Sequence, residues 1–302
     1  MSMKHIIYSQ DVSKKDIEKL FKIATKFEKR KETPLKGKIM ASLFYEPSTR
    51  TRFSFESAML RLGGSVISTE NAKEFSSVAK GETLEDSISV INHYADVIVI
   101  RHYEKGASER ASKVSKIPVI NAGDGPGQHP TQALLDLYTI QREIGRIDNV
   151  TIAMIGDLKN GRTVRSLSYL LGKYKKVKII FVSPKELKIG TDIKKYLTKH
   201  KTYFEETDNL EKIIGHVDVI YQTRIQKERF EDTEKYEKYK GCYVISLKQV
   251  KIMRVGSIIM HPLPRVGEIL PEVDSSPKAA YFKQAKYGVL IRMAILKTLL
   301  MP

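Results

Sequence analysis

The chain has 302 residues, of which 41% are hydrophobic and 29% charged, and its formal net charge is +17 at pH 7. This length allows two domains of ordinary size, and the composition is typical of a globular protein with no apolar stretch of the roughly 20 residues needed to cross a bilayer. The only cysteine, Cys242, excludes an intrachain disulfide and a zinc site built on several cysteines, and it suits a reducing cytoplasm.

The positive charge allows two interpretations. Strongly basic proteins often bind nucleic acid, but a basic surface also attracts small anions. Here the lysines are spread along the whole chain and are interleaved with glutamate and aspartate, and there is no zinc-finger, RNP-type or arginine-rich motif. We therefore expect small anionic ligands, with no nucleic-acid partner and no membrane partner.

Helices and strands alternate through the first half of the sequence. Ser13 and Asp16 form a capping box that begins the first helix. Apolar runs predict strands over residues 39–44, 66–69, 97–100 and 118–121. Further helices are predicted to begin near residues 48, 83 and 130, and a long polar loop covers residues 70–81.

The turn after the first strand is the most informative stretch. Glu46 and Pro47 end the strand, and Ser48 or Thr49 can cap a helix whose apolar side is formed by Phe55, Ala58, Met59 and Leu62. The N-terminus of a helix offers unpaired N–H groups and partial positive charge, so the hydroxyls and arginines of residues 48–52 predict a phosphate or carboxylate site. A capped helix with two solvated arginines would give the same pattern.

Other candidate groups follow later strands. The third strand ends in Arg101, and a glycine-containing loop after the fourth carries His129 just before Pro130 opens a helix that contains Gln132. Ligands of open parallel sheets bind beyond the carboxyl ends of the strands, so Arg101 belongs near the 48–51 turn if both strands share a sheet. A capping or core role is the alternative for His129.

The strand–helix pattern restarts near residue 148. Strands are predicted over residues 150–155, 177–182, 217–222 and 257–260, and helices over 162–171, from 191 and over 278–300. The last helix carries apolar residues at helical spacing: Phe282, Ala285, Val289, Met293 and Leu296. The repeated alternation predicts two Rossmann-like α/β domains with parallel sheets flanked by helices and a cleft between them. We place the domains at residues 1–130 and 131–284, with residues 285–302 packing back on the first.

Basic and amide groups occur at corresponding places in both halves, at strand ends or helix starts. They are Arg50, Arg101, His129 with Gln132, Arg162, and Arg224 with Gln226. Together they predict a cleft for a ligand with several anionic groups. The sequence offers no Ser-His-Asp arrangement, no paired catalytic carboxylates and no metal-ligand cluster, so chemistry here would depend on positioning and charge stabilisation.

At this point the sequence resembles a known family. The stretches are FYEPSTRTR, NAGDG with QHPTQALLD, GDLKNGRT, TRIQKER and HPLPR, and they cover nearly the whole chain in the family's order. They are similar to the catalytic chain of the aspartate carbamoyltransferases. The resemblance implies transfer of a carbamoyl group from carbamoyl phosphate to L-aspartate in de novo pyrimidine biosynthesis, with no cofactor and no metal.

The resemblance also implies that residues 1–130 bind carbamoyl phosphate and residues 131–284 bind aspartate, and it implies roles for individual residues toward carbamoyl phosphate. The phosphate would be held by Ser48, Thr49, Arg50 and Thr51, the carbonyl oxygen by Arg101, Thr51 and His129, and the carbamoyl NH₂ by Gln132 and the backbone carbonyls of Leu263 and Pro264. Arg50 would also neutralise charge on the departing phosphate. Since no residue is an obvious general base, the phosphate is a candidate acceptor for the amine proton.

Aspartate and assembly roles follow in the same way. Arg162, Arg224 and Gln226 would hold the two aspartate carboxylates, with Lys80 assisting. Ser76 and Lys80 match a loop that reaches the neighbouring subunit's carbamoyl-phosphate site, which implies a homotrimer with shared active sites. In some members a zinc-containing regulatory chain joins the trimers, and residues 104–110 resemble the surface loop used for that contact.

The sequence departs from the family pattern at two positions and leaves three rival functions open. Asn160 replaces a tyrosine and Gly267 replaces an acidic residue that are common in the family, both beside the aspartate-binding half. An ornithine carbamoyltransferase shares the 48–52 turn but typically has cysteine where Pro262 stands. A nucleic-acid binder that kept an enzyme fold is the second rival, and a catalytically silent relative used for assembly is the third.

Overall fold

The computed structural model describes residues 3–70, 81–225 and 233–301, the last range with side chains from residue 236. Two compact units make up the chain: unit 1 comprises residues 1–135 and 286–302, and unit 2 comprises residues 136–285. These bounds differ from the predicted ones by up to five residues. The assignment of one substrate to each unit stays a prediction.

Unit 1 contains a parallel sheet. Its described strands are β1 (Ile39–Phe44), β2 (Ser65–Glu70), β3 (Val97–His102) and β4 (Val119–Asp124), in the spatial order β2-β1-β3-β4. Helices up to residue 144 are α1 (Lys14–Lys29), α2 (Thr49–Arg61), α3 (Leu84–Ile91), α4 (Ala107–Val114) and α5 (Pro130–Ile144). A short 3₁₀ helix, Ser9–Asp11, precedes α1.

Burial on both faces of the sheet accounts for the continuous apolar sequences of the central strands in unit 1. In β3, the four residues from Val97 to Ile100 are completely buried, as expected for a strand covered on both faces. The predicted apolar side of α2 is confirmed, since Phe55, Ala58, Met59 and Leu62 are all completely buried. By contrast, β2 lies at the edge of the sheet and is largely exposed.

Unit 2 contains a second parallel sheet. Its described strands are β5 (Thr151–Ile155), β6 (Lys178–Val182), β7 (Tyr203–Thr207), β8 (Val219–Gln222) and β9 (Ile258–Met260), in the order β7-β6-β5-β8-β9. The later helices are α6 (Arg162–Leu171), α7 (Thr191–Lys199), α8 (Thr233–Tyr239), α9 (Leu247–Ile252) and α10 (Tyr281–Leu300), with 3₁₀ helices at Lys185–Leu187 and Pro271–Ser275. Across the described ranges, none of the helices has the length and apolarity needed to cross a membrane.

Strand register brings the candidate groups to one edge of each sheet. In unit 1, Phe44 at the end of β1 pairs with Arg101 in β3. In unit 2, Ile155 at the end of β5 pairs with Gln222 of β8, and Tyr221 of β8 pairs with Met260 of β9. Because all these strands are parallel, the loops that follow them lie side by side at the carboxyl edge, where such sheets bind ligands.

Two parallel sheets flanked by helices confirm the predicted fold class, but the structure differs from the sequence analysis in three places. Residues 203–207 form the edge strand β7, whose glutamates interrupt the apolar pattern expected of a strand. The predicted contact loop at residues 104–110 is partly helical, since α4 begins at Ala107. In α10, Phe282 is 52% exposed, whereas the polar Gln284 is buried, and its amide bonds to the His261 N–H and to Asp136.

Candidate active site

The turn between β1 and α2 presents a helix N-terminus without a side-chain cap. Ser48 occupies the N-cap position, but within the described ranges its side chain makes no capping hydrogen bond. In α1, by contrast, the Ser13 side chain accepts the N–H of Asp16, and the predicted capping box is present. The first N–H groups of α2 can therefore bind an anion in place of a cap, with favourable help from the helix dipole.

The two arginines of this turn have different surroundings. Nη2 of Arg52 lies 3.0 Å from Oε2 of Glu70, and its Nε lies 3.8 Å from Oε1 of Glu56, so Arg52 ties α2 to the end of β2. Arg50 is exposed in the first turn of α2, and Thr51 beside it is buried. The alternative in which both arginines are solvated is therefore wrong for Arg52, and Arg50 remains the candidate ligand.

Arg101 lies next to this turn because β3 is the neighbour of β1. Its backbone carbonyl accepts the N–H of Tyr45 at 2.9 Å, which continues the pairing of the two strands into the turn. The Arg101 side chain is only 12% exposed, and its Nε lies 3.2 Å from Oε2 of Glu46. Glu46 therefore forms an ion pair with the guanidinium, a contact that its position in the sequence does not indicate.

A tight loop after β4 places His129 and Gln132 at the same edge. The Asp124 carboxylate accepts the N–H groups of Gln128 at 2.7 Å and Gly106 at 3.0 Å, which folds the loop back on itself. Gly125 has a φ of +48°, and a Cβ there would collide with the carbonyl oxygen of Tyr103, so glycine is required.

The two predicted residues of this loop are both buried. His129 is 4% exposed and Gln132 is 9% exposed, and Oγ1 of Thr131 lies 3.4 Å from Nδ1 of His129. Buried polar groups at a strand end are held in fixed orientations, as a binding site requires. Since β1, β3 and β4 are consecutive in the sheet, the structure brings the 48–51 turn, Arg101 and the His129 loop to one edge of unit 1.

Unit 2 positions Arg224 through a close approach of two strand ends. Both the N–H and the hydroxyl of Thr223 donate to the carbonyl oxygen of Ile155, at 2.9 and 2.7 Å. Gly156 has a φ of +114°, and a Cβ there would collide with the Thr223 carbonyl, so only glycine allows the approach. Arg224 consequently emerges directly beyond the ends of β5 and β8.

Arg162 is the first residue of α6, at the same edge of the second sheet. The loop before it is held by Asp157, which is completely buried. Asp157 accepts the backbone N–H of Asn160 at 3.0 Å and the side-chain amide of Asn160 at 3.0 and 3.2 Å. Asn160, which departs from the family pattern, therefore acts as the donor that fixes this loop.

The turn after β9 carries Leu263 and Pro264. Nδ1 of His261 accepts the N–H of Leu263 at 2.7 Å, and its Nε2 lies 2.7 Å from Oε1 of Glu268. Leu263 has a φ of +55°, and the Leu263–Pro264 peptide bond is cis. These contacts hold the turn in one conformation, with its backbone at the carboxyl edge of unit 2.

Burial and hydrogen bonding act in opposite directions on the two titratable groups of this turn. Burial lowers the pKa of the His261 imidazole below its ordinary value, although the hydrogen bond and charge of Glu268 oppose that shift. Burial alone would raise the pKa of Glu268, but the hydrogen bonds from His261 and the Val266 N–H outweigh it, so the net pKa is lowered. The pair is therefore favoured as neutral imidazole and carboxylate.

A cavity of about 400 Å³ adjoins Arg224 in unit 2. Its wall includes Tyr236, Lys240 and Glu268, together with Gly267 of the family departures. The motifs did not indicate Tyr236, Lys240 or Glu268 as site residues, because they come from separate segments that only the fold brings together. Three predicted site residues, Ser76, Lys80 and Gln226, lie outside the described residues.

Comparison with known proteins finds family models and relatives that match nearly the whole chain. The aspartate/ornithine carbamoyltransferase carbamoyl-P binding domain matches residues 4–142, and the Asp/Orn binding domain of that family matches residues 148–299. Aspartate carbamoyltransferase 2, chloroplastic, of Pisum sativum is 55% identical over 98% of this chain and 78% of its own length. The aspartate carbamoyltransferase catalytic subunit of Methanocaldococcus jannaschii is 54% identical over 99% of this chain and 98% of its own.

Solved structures agree over the same length. The M. jannaschii catalytic subunit superposes with a TM-score of 0.92 at 54% identity, covering 98% of both chains. Aspartate transcarbamoylase from Trypanosoma cruzi in complex with carbamoyl aspartate and phosphate superposes with a TM-score of 0.90 at 40% identity, covering 98% of this chain and 96% of that one. The chain therefore belongs to the aspartate carbamoyltransferase family, as a catalytic chain.

Proposed function

We propose that the chain transfers the carbamoyl group of carbamoyl phosphate to the amino group of L-aspartate, giving N-carbamoyl-L-aspartate and phosphate. The T. cruzi relative binds these two products, and the curated relatives are named for this activity. The observation that carries the proposal is the edge of unit 1, where adjacent strands bring an uncapped helix N-terminus, Arg101 and the His129 loop together.

Phosphate binding is assigned to the first turn of α2. Ser48, Thr49 and Thr51 supply hydroxyl and backbone N–H donors, and Arg50 supplies a guanidinium that matches two phosphate oxygens. The uncapped N-terminus supports this assignment, since those N–H groups need an acceptor. As the bond to the phosphate oxygen breaks, Arg50 stabilises the charge that develops on the leaving group.

The carbonyl oxygen of the carbamoyl group gains negative charge when the amine attacks. We assign Arg101, Thr51 and His129 as the donors that stabilise this oxyanion. Their low exposure supports the role, because hydrogen bonds to a developing charge are stronger where water is excluded. Glu46 and the 124–128 loop hold two of these donors in place before the substrate arrives.

The remaining groups orient the nucleophile and the carbamoyl NH₂. Gln132 and the carbonyl groups of Leu263 and Pro264 bind the NH₂, while Ser76 and Lys80 complete the carbamoyl-phosphate site. Arg162, Arg224, Gln226 and Lys80 bind the two carboxylates of aspartate. For the transfer, the C–N bond forms, the C–O bond to phosphate breaks, and the departing phosphate takes the amine proton, so no enzyme base is needed.

We also propose a homotrimer with shared active sites. Unit 1 exposes Phe53 and Leu60 on α2 and Ile67 on the edge strand β2, at 55%, 60% and 43%. An exposed edge strand beside exposed apolar side chains is typical of a surface covered by a second copy. In the sequence, Ser76 and Lys80 come shortly after β2, and we assign them to the site of the neighbouring protomer.

A zinc-binding regulatory chain and a cytoplasmic location stay proposals as well. The first is supported by the resemblance of residues 104–110, and the second by the single cysteine. Size measurement of the chain alone, and after mixing with a regulatory chain from a related species, tests the assembly. A trimer alone and a larger complex in the mixture are the expected results.

Enzyme assays test the reaction itself. Purified protein with carbamoyl phosphate is expected to form a ureido product with L-aspartate and none with L-ornithine, measured by the same colorimetric reaction. The cationic Arg162 and Arg224 suit a dicarboxylate, and Pro262 stands where ornithine enzymes typically have cysteine. Product from ornithine alone would reverse the assignment of the acceptor.

A further inference from the structure

We propose that His261 is a positioning residue that, as a neutral imidazole protonated on Nε2, fixes the turn whose carbonyl groups at Leu263 and Pro264 accept from the carbamoyl NH₂. The inference rests on the proposed function, which gives those carbonyls their task. His261 itself touches no reacting atom in that mechanism, and acts only through the turn.

The hydrogen bonds determine which nitrogen carries the proton. Nδ1 of His261 lies 2.7 Å from the backbone nitrogen of Leu263, and a backbone N–H can only donate. Nδ1 must therefore be the acceptor, and the single proton of the neutral ring is on Nε2. That nitrogen lies 2.7 Å from Oε1 of Glu268, which accepts it. The ring is 2% exposed, so these two partners define its state.

Glu268 connects the ring to the far side of the same turn. Its second oxygen, Oε2, accepts the N–H of Val266 at 2.9 Å. A single carboxylate thus binds both the imidazole and the backbone five residues further along. The segment between His261 and Val266 is closed into a ring of hydrogen bonds, with Leu263 and Pro264 inside it.

Buried groups from other elements anchor the start of the turn. The N–H of His261 donates to Oε1 of Gln284 at 2.9 Å, and Nε2 of Gln284 donates to Oδ1 of Asp136 at 2.6 Å. The second oxygen of Asp136 accepts the hydroxyl of Tyr221 at 2.7 Å. Because the backbone of His261 is fixed by this network, a change in its side chain acts on the 263–266 part of the turn.

Protonation of His261 would break the arrangement. A second proton would sit on Nδ1 and oppose the N–H of Leu263. The charged groups that face the ring are Glu268, which favours the imidazolium, and Arg265 and Arg224, which disfavour it. Burial also disfavours the charged form, and the net effect lowers the pKa. The neutral tautomer is therefore maintained through the neutral pH range.

Two isosteric substitutions separate the contacts of the ring. In His261→Asn, the side-chain oxygen stands where Nδ1 stood and can accept an N–H two residues further on, as asparagine does in turns. In His261→Gln, the amide reaches out toward Glu268 but leaves no acceptor at the Nδ1 position. Both variants are polar and uncharged. His261→Asn keeps the contact to Leu263 and loses the contact to Glu268, whereas His261→Gln keeps a contact toward Glu268 and loses the one to Leu263.

Steady-state kinetics with both substrates give the decisive measurement. His261→Gln is expected to lower kcat/KM for carbamoyl phosphate about 10- to 100-fold, the size expected when a positioned group is displaced by about an ångström. The KM for aspartate should change by less than about threefold, and His261→Asn should stay within about threefold of the wild type, since it retains the hydrogen bond.

The ratio between the two variants decides the inference. Three results would overturn it. They are equal losses in His261→Asn and His261→Gln, no loss in His261→Gln, and a rise in the KM for aspartate as large as the fall in kcat/KM for carbamoyl phosphate. If His261→Gln does not fold, Glu268→Gln replaces it, because a carboxamide has one acceptor oxygen where the ring and the Val266 N–H need two. That variant should lose about tenfold in kcat/KM for carbamoyl phosphate, and an unchanged value would overturn the inference equally.

The wild type distinguishes this failure from failure of the proposed function. A wild type that forms no N-carbamoyl-L-aspartate contradicts the function and, with it, this inference. An active wild type with indistinguishable Asn and Gln variants contradicts the inference alone. The pH profile adds a second readout: the loss of carbamoyl-phosphate affinity at acid pH that His261 protonation causes should be present in the wild type and absent in His261→Asn.

Discussion

The carboxyl edges of the two sheets hold their candidate groups by different means. In unit 1, strand register and one loop place the groups: Arg101 is beside the 48–51 turn because β3 neighbours β1, and Asp124 folds the loop before His129, to which the distant Ser9 N–H adds a contact through Gln128. In unit 2, side chains far apart in sequence hold the edge, as Gln284 and Asp136 do across 148 residues. The first edge thus depends mainly on strand register and backbone contacts, and the second mainly on buried side chains that are far apart in sequence.

This difference predicts that function and stability separate in unit 1 and are linked in unit 2. The exposed Arg50 can be changed with little effect on the core. The buried network that runs from Tyr221 through Asp136 and Gln284 to His261 cannot be changed without leaving buried polar groups unsatisfied. Substitutions in each unit test that contrast, and the largest effect is expected at Arg50.

Arg50→Ala should abolish most of the activity while leaving the fold intact. Removal of one charge-stabilising group at a site of developing charge typically costs about 10²- to 10³-fold in kcat. Because Arg50 is exposed and lies in the first turn of α2, the free energy of unfolding should change by less than about 0.5 kcal/mol. Steady-state kinetics and urea unfolding of the same preparation measure both quantities.

Arg52→Ala is the matched control, since it removes the same side chain two residues away. Arg52 forms ion pairs with Glu70 and Glu56. The variant should therefore retain kcat within about threefold, and its free energy of unfolding should fall by up to about 1 kcal/mol. Equal losses of activity in the two variants would contradict a role in catalysis that Arg50 has and Arg52 lacks.

Gln284→Ala should destabilise unit 2 strongly. The substitution removes the donor to the completely buried Asp136 and the acceptor of the His261 N–H. Two buried groups left unsatisfied should cost about 2–4 kcal/mol in the free energy of unfolding. Lys283→Ala, at the exposed neighbouring position, loses only a surface ion pair with Glu143 and should cost less than about 1 kcal/mol. Equal stability of the two variants would contradict a network held by Gln284.

The same contrast explains what the sequence could predict. The parallel sheets, the apolar side of α2 and the helix start at Ser48 follow from local patterns, and the structure has all three. The exposure of Phe282 and the edge strand β7 could not be predicted, because in both cases polar residues satisfied by distant partners or by solvent replace the expected apolar pattern.

The site residues show the same difference between what local sequence patterns indicate and what tertiary packing determines. Arg50, Arg101, His129, Arg162 and Arg224 could be proposed from their positions at strand ends and helix starts. The support of Arg101 by Glu46, and the buried amide of Gln284, could not be inferred from spacing, since a partner's direction is set only when the elements pack. Spacing indicates which groups reach an edge, and packing determines how firmly they are held there.

Glu46→Gln should reduce activity moderately at the edge of unit 1. Oε2 of Glu46 lies 3.2 Å from Nε of Arg101, and the amide keeps an acceptor but loses the charge that orients the guanidinium. We expect about a tenfold lower kcat/KM for carbamoyl phosphate, with a change of less than about 0.5 kcal/mol in the free energy of unfolding. Glu18→Gln, on the exposed side of α1, should change neither quantity. Unchanged kinetics in Glu46→Gln would show that backbone register alone orients Arg101.

The smallest effect concerns the pH dependence of stability in unit 2. Burial lowers the pKa of His261 from its ordinary 6.5, so below that pH the unfolded chain takes up a proton that the folded chain does not. Stability from this group is therefore present above about pH 6.5 and falls as the pH decreases toward the folded pKa, by up to about 1.4 kcal/mol per pH unit. Asparagine does not titrate, so His261→Asn lacks this contribution.

Urea unfolding at fixed protein concentration, from about pH 7.5 down to about pH 5.5, should show a steeper decline in the free energy of unfolding for the wild type than for His261→Asn. Parallel declines would mean that the imidazole is protonated as readily in the folded protein as in the unfolded chain. That result would contradict the assignment of Nδ1 as the acceptor of the Leu263 N–H.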